Sequence, residues 1–186
     1  MHTIIFVNKK YYGVEYLKLT TGNKIIKVSS TVINSGYNSP YKLKYELLLD
    51  GSWKIKECCI EIDCENSKSL YLSTNGNGHW FDENKNEIYE LTGAIDIDIS
   101  STPFTNSLPI NRIDWELNHP KDFEMAYISV PDLSYKKMKQ TYELISDEST
   151  KKVFKYKTEK KEVLIEVDSM GTVVNYPNRF SKVCDI

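Results

Sequence analysis

With 186 residues the chain is long enough for one domain with a sizeable core, residues 1–186. Its formal net charge of −2 argues against a nucleic-acid binder, which carries a basic surplus. Lys136, Lys137, Lys139, Lys151 and Lys152 have acidic residues near them and read as a solvated strand face.

The start, MHTIIFVNKK, holds a short apolar stretch from Thr3 to Val7. It lacks the basic flank, the longer apolar run and the small-residue cleavage site of a signal peptide. No apolar run approaches the roughly 20 residues of a membrane span. These features predict a cytoplasmic protein. Cys58, Cys59, Cys64 and Cys184 agree, since their spacing suits neither a disulfide framework nor a zinc site.

Period-two alternation dominates the rest of the chain. Strands are predicted near Val14–Thr20 and Ile25–Ile33, then most clearly at Tyr41–Leu49. There Tyr41, Leu43, Tyr45, Leu47 and Leu49 take one face, while Lys42, Lys44 and Glu46 take the other. Asp50-Gly51 predicts a tight hairpin into a strand over Trp53–Ile62. Asn75-Gly76-Asn77-Gly78 predicts another, between Leu70–Ser73 and His79–Phe81. Further strands are predicted near Ile95–Ser100, Glu124–Val130, Met138–Leu144, Val153–Lys157 and Val163–Val167, with a reversal at Ser169-Met170-Gly171. Short turns favour antiparallel neighbours. No long window shows a 3.6-residue stripe, so the helices are expected to be few and short. The fold class is mainly β.

The stretch Gly93–Arg112, GAIDIDISSTPFTNSLPINR, is the richest in chemistry. Ile95, Ile97 and Ile99 face one way on its strand, and Asp96, Asp98 and Ser100 the other. An irregular segment follows, containing Pro103 and Pro109. Its Thr102, Thr105, Asn106 and Ser107 can hydrogen-bond sugar hydroxyls or satisfy the backbone of a buried loop.

The segment DIDISSTPFTNSLPINR closely resembles the signature of a bacterial family labelled putative glycolipid-binding. The resemblance continues through Pro131-Asp132-Leu133, Gln140 with Tyr142, Val167–Gly171, Asn175-Tyr176-Pro177 and Arg179-Phe180. Upstream it takes in Gly13 with Glu15, Tyr41 with Tyr45, Trp53, and Gly76–Trp80. Two family features differ: Thr92-Gly93-Ala94 stands where a cysteine is usual, and Lys54 or Lys56 where an arginine is. The resemblance implies a strongly curved antiparallel sheet, an unclosed barrel like that of bacterial lipoprotein carriers. It also implies an amphiphilic ligand, a glycolipid or another lipid.

A sheet that curls without closing has a concave face, which can hold a hydrocarbon chain in an apolar concavity. The expected function is therefore non-catalytic binding of an amphiphile, without cofactor, metal or nucleic acid. The ligand-binding candidates are Glu15, Trp80, Asp96, Asp98, Thr102, Thr105, Asn106 and Arg112. Glu15 shares a strand face with Leu17 and Leu19; turned inward it needs a partner, for which Arg112 or Arg179 could serve. Trp53, Trp80 and Trp115 suit packing, although a tryptophan at a cavity mouth could stack on a sugar. Two alternatives remain open. Asp96 and Asp98, about 7 Å apart by strand rise, would allow a glycoside hydrolase, whose carboxylates lie about 5–9.5 Å apart. An exposed sheet edge would allow a protein–protein adaptor. A large apolar cavity favours the ligand binder, and a filled core with an exposed apolar patch favours the adaptor.

Overall fold

The computed structural model describes residues 1–35 and 39–186. Seven strands lead: β1 (His2–Asn8), β2 (Gly13–Thr21), β3 (Ile25–Asn34), β4 (Tyr41–Asp50), β5 (Ile55–Asp63), β6 (Lys68–Thr74) and β7 (Trp80–Phe81). After β8 (Asp96–Ile99) come a 3-10 turn over Phe104–Asn106 and the short helix α1 (Ser107–Arg112). The chain then forms β9 (Lys121–Ile128), β10 (Tyr135–Asp147), β11 (Lys151–Thr158), β12 (Lys161–Asp168), β13 (Val173–Tyr176) and β14 (Phe180–Asp185).

All fourteen strands join in one sheet, ordered β7-β6-β5-β4-β3-β2-β1-β14-β13-β12-β11-β10-β9-β8. Neighbours in sequence pair antiparallel, as their short turns require. β1 also pairs with β14, which joins the two halves. Only β8 departs, running parallel to β9 from Asp96 opposite Met125 to Ile99 opposite Ile128. Register shifts at Ile5/Phe6, Leu48/Leu49, Leu144/Ser146 and Glu166/Val167 place bulges in both halves. A bulge bends its strand and raises the local twist, so these positions curl the sheet into an unclosed barrel.

Alternation decides which side chains enter. In β4, Tyr41, Leu43, Tyr45, Leu47 and Leu49 are buried, while Lys42, Lys44 and Glu46 are exposed. Two apolar clusters result. The larger joins β1–β6 to Trp80, Ile97, Ile99, Phe104, Leu108, Ala126 and Ile128. The smaller gathers Phe123, Met125, Tyr142, Phe154, Tyr156, Tyr176 and neighbours from β9–β14. The β8–β9 pair lies between them, with its isoleucines in the first cluster and Met125 in the second.

Three details differ from the sequence reading. β1, β13 and β14 are additional strands, of which β13 and β14 do not alternate cleanly between apolar and polar residues. Trp53 lies in the β4–β5 turn at φ 63° rather than in a strand. Asp50 makes that turn, its Oδ1 accepting from the amides of Ser52 at 2.9 Å and Lys54 at 3.1 Å. Residues 107–112 are helical rather than irregular. Pro109 fits there because it occupies the first turn, where an amide has no helical acceptor to lose.

The end strands β7 and β8 do not pair. Their seam is bridged instead by the Gly93 amide donating to Gly78 O at 2.8 Å and the Trp80 indole donating to Ala94 O at 2.8 Å. Gly78, at φ +87°, would bring a Cβ to 2.9 Å from Gly93 Cα, whereas at Gly76 the nearest atom is the flexible end of Lys56 at 3.4 Å. Gly76→Ala should therefore cost only its positive-φ strain, on the order of 1 kcal/mol. Gly78→Ala adds a backbone clash and should unfold at a clearly lower temperature than Gly76→Ala in parallel melts.

Candidate functional site

Parallel pairing of β8 with β9 requires a crossover, because a hairpin cannot join parallel strands. The crossover spans residues 100–120; its first half enters the concave interior, with Ser101–Ile110 buried throughout, and Glu116–Pro120 are exposed. A buried loop must satisfy its own backbone. Thr102 Oγ1 accepts from the Phe104 amide at 3.0 Å, Thr105 Oγ1 from the Ile99 amide at 3.3 Å, and Asn106 Nδ2 donates to Pro103 O at 3.0 Å. The hydroxyls and amides of this stretch thus make the plug possible.

Glu15 projects from β2 onto the plug and is almost fully buried. Its carboxylate accepts from Ser30 Oγ at 2.8 Å, Tyr45 Oη at 2.5 Å and Thr102 Oγ1 at 2.7 Å. No arginine reaches it, so the expected ion pair with Arg112 or Arg179 is not formed. Three hydroxyls take its place, because the arginines lie on the other side of the β8–β9 partition. Without a cation, burial raises Glu15 from 4.5 to about 7, against the pull of the three hydroxyls. Burial likewise lifts Tyr45 well above its ordinary value, which keeps its hydroxyl a donor.

Across the partition, Arg112 at the end of α1 grips Asp96 in a two-pronged pair. Its Nε donates to Oδ1 at 3.1 Å and its Nη2 to Oδ2 at 2.7 Å. Asp96 has no exposed surface. Asp98 is less enclosed, accepting from Thr105 Oγ1 at 3.2 Å and Gln140 Nε2 at 2.6 Å. Tyr142 Oη continues this network, 2.9 Å from Asn106 Oδ1 and 3.1 Å from Gln140 Oε1.

Above that network opens a cleft of about 360 Å³. Asp98, Thr102 and Asn106 contribute to it, with Tyr127, Tyr156, Tyr176 and Arg179 around them and lysines at the rim. Lys161 donates to the Tyr176 hydroxyl, and its ammonium stands 4.9 Å from the ring centroids of both Tyr156 and Tyr176. Burial, then the charge of Arg179, lowers Lys161 from 10.5 to about 8, with Asp98 opposing. The Arg179 guanidinium lies 5.9 Å from the Tyr176 centroid and 5.3 Å from that of Phe180, while its Nη2 donates to Ser100 O at 2.8 Å. Burial pushes Tyr176 up to about 12 and raises Tyr127 and Tyr156, so these three remain neutral hydroxyls. The lining combines aromatic faces, hydroxyls, one carboxylate on the floor and fixed cations.

The sequence profile of the family described as "Putative glycolipid-binding" matches residues 5–182. The chain belongs to this family. Its fold is similar to the crystal structure of a DUF1089 family protein from Pseudomonas aeruginosa, with a TM-score of 0.81 and 27% identity over 91% of this chain and 92% of that one. A search of curated proteins finds no match.

Of the candidates drawn from the sequence of this family member, Asp98, Thr102 and Asn106 border the cleft. Glu15, Trp80, Asp96, Thr105 and Arg112 lie outside its lining. Trp80 is fully buried at the seam, away from any cavity mouth. Sequence reasoning missed Tyr127, Tyr156, Lys161, Tyr176 and Arg179. A signal for Lys161 was present: two residues before Val163, it shares the face of Val163, Ile165 and Val167 and puts a cation on an apolar stripe. The first apolar cluster is filled by Phe104 and Leu108, so the open space is a mixed polar and aromatic cleft rather than a purely apolar concavity. No three His, Cys, Asp or Glu side chains gather to hold a metal among the described residues, and no helix there is long and apolar enough to cross a membrane.

Arg112→Ala would leave the unexposed Asp96 carboxylate without its partner, a change that costs on the order of 3–5 kcal/mol. Its thermal unfolding should shift down sharply; a melt matching the parent would show that the pair contributes nothing. Glu15 supplies a pH test. The folded protein holds the Glu15 proton up to about pH 7, while the ordinary value is 4.5. Folding therefore takes up a proton between those values, and stability should fall as the pH rises through that window, by on the order of 3 kcal/mol, then level off. Glu15→Gln has no proton to lose. Its melting temperature should fall less than the parent's from about pH 4.5 to about pH 7.5, and equal falls would contradict this origin.

Proposed function

We propose that residues 1–186 form a single binding domain that seats the head of a sugar-bearing amphiphile in this cleft and does not transform it. One observation carries the reading: tyrosine rings and hydrogen-bonding groups converge on one open concavity of the curved sheet. A sugar presents apolar C–H faces that pack on aromatic rings and hydroxyls that bond to Asp98, Asn106 and the tyrosine hydroxyls. At about 360 Å³ the cleft lies at the small end of ligand sites, suiting a head group with the first methylenes of its chain packed on Met138 of the lining. The family's description points to the same class of ligand. The unpaired cysteines Cys58, Cys59, Cys64 and Cys184 suit a reducing compartment such as the cytoplasm.

The hydrolase alternative has less support. Asp96, which would be the second carboxylate, is clamped by Arg112 and has no exposed surface. Glycosidases need two carboxylates that reach the substrate. For the adaptor, the exposed Val14, Tyr16 and Ile33 on the outer face of β2–β3 form a small cluster of a kind common on protein surfaces.

Titration with alkyl glucosides of increasing chain length tests the reading. Affinity should rise with length, by up to about 0.8 kcal/mol for each methylene fully buried. Free glucose should bind weakly, because exposed hydroxyls exchange water for protein at little net gain. A parallel assay with a chromogenic glycoside should show no turnover. Turnover abolished by Asp98→Asn with the fold intact would replace binding by catalysis, and affinity flat with chain length would remove the amphiphile.

A further inference from the structure

The chain has two arginines, Arg112 and Arg179, among many lysines. Both lie on the concave side of the β9–β14 half, and they are treated differently. Arg112 is matched by Asp96. Arg179 has no carboxylate within ion-pairing distance among the described residues; its Nη2 is spent on Ser100 O, and its buried Nε has no acceptor. A partly buried guanidinium without a carboxylate keeps its charge available to an anionic ligand.

Lys161 repeats the pattern beside it. Its ammonium is half-buried against Tyr156 and Tyr176 and bonds to the Tyr176 hydroxyl, with no carboxylate in ion-pairing contact among the described residues. Both cations stand within 6 Å of the Tyr176 ring centroid, at 4.9 and 5.9 Å. Asp98, the carboxylate on the floor, is occupied by Thr105 and Gln140. Lys136, Lys137, Lys139 and Lys160 stand around the cleft against one acidic residue at its rim, Glu159, in a chain whose net charge is −2. Two cations held close together out of water repel each other, which is visible in the lowering of Lys161. An anion between them would relieve that repulsion.

We infer that this cleft selects an anionic head group, with a sulfate, phosphate or carboxylate of the sugar seated between the Arg179 guanidinium and the Lys161 ammonium. The inference rests on the binding function proposed above and narrows its ligand to acidic glycolipids or their free acidic sugars. Arg179 supplies orientation as well as charge, because its planar group is fixed by Ser100 O and the Tyr176 and Phe180 rings. Lys161 supplies a point charge held by the Tyr176 hydroxyl.

The test uses phosphatidylcholine vesicles carrying either galactosylceramide or its 3-O-sulfate, which share sugar and lipid and differ in one anion. Galactose and galactose 3-sulfate serve as soluble counterparts. The parent should bind the sulfated vesicles at least about tenfold more tightly than the neutral ones. Lys161→Gln and Arg179→Lys should each lose most of that preference while remaining folded by melting. Lys44→Gln, on the outer face of β4, should keep it; equal loss there would mean adsorption through surface charge and overturn the inference. Equal binding of both vesicles would also overturn it, leaving glycolipid binding in place. Binding of galactose 3-sulfate as tight as that of the sulfated vesicles, and lost in Lys161→Gln, would uphold the anion site while removing the lipid. Failure of every probe would remove both.

Discussion

The parallel ladder between β8 and β9 sets the interior of this protein. Four residue pairs, Asp96–Ile99 against Met125–Ile128, are enough to force a crossover in a sheet otherwise built from hairpins. In an open sheet such a crossover would run over one face and meet water on its other side. Here the sheet already curls, so the returning segment enters the concavity and becomes its filling. Phe104 and Leu108 close the first apolar cluster, and the β8–β9 pair becomes a partition with both faces covered.

Burying polar residues inside a plug is costly, and each half of the barrel meets that cost differently. In the β1–β7 half, Glu15 is held by three hydroxyls and no cation, which leaves it titrating near neutrality. In the other half, Asp96 receives the full fork of Arg112. Burial raises both carboxyls; at Asp96 the two aligned donors and the charge of the fork oppose it, whereas at Glu15 only neutral hydroxyls do. Asp98, two residues from Asp96 and on the same face, lies at the edge of the plug and keeps access to the cleft.

Membership of the family described as "Putative glycolipid-binding" and the likeness to the Pseudomonas aeruginosa protein cover nearly the whole chain, and so the sheet and its crossover together. The cleft depends on both. Its walls come from β9–β14 and its floor from β8 and the plug, so neither a sheet nor a loop alone would make it.

Alternation along single strands was enough to place most of the sheet. The faces of β4, the turn at Asp50-Gly51 and the reversal at Ser169–Gly171 depend on neighbouring residues, and local chemistry decides them. The opposed faces of Ile97, Ile99 and of Asp96, Asp98 were legible for the same reason. Short β13 and β14 were not, since neither VVNY nor FSKVCD alternates cleanly between apolar and polar residues. The partner of Glu15 was beyond local reading altogether: whether an inward carboxylate meets Arg112, Arg179 or Tyr45 depends on where strands distant in sequence are brought by curvature. The cleft followed the same rule. Tyr127, Tyr156, Lys161, Tyr176 and Arg179 come from five different strands or turns, and apart from Lys161, a cation on an apolar stripe, none stands out in the sequence alone. Only the closing curl, pinned by β1 on β14 and plugged by residues 101–110, brings them around one space. Sequence determines which way each side chain points; the tertiary path determines what it finds there.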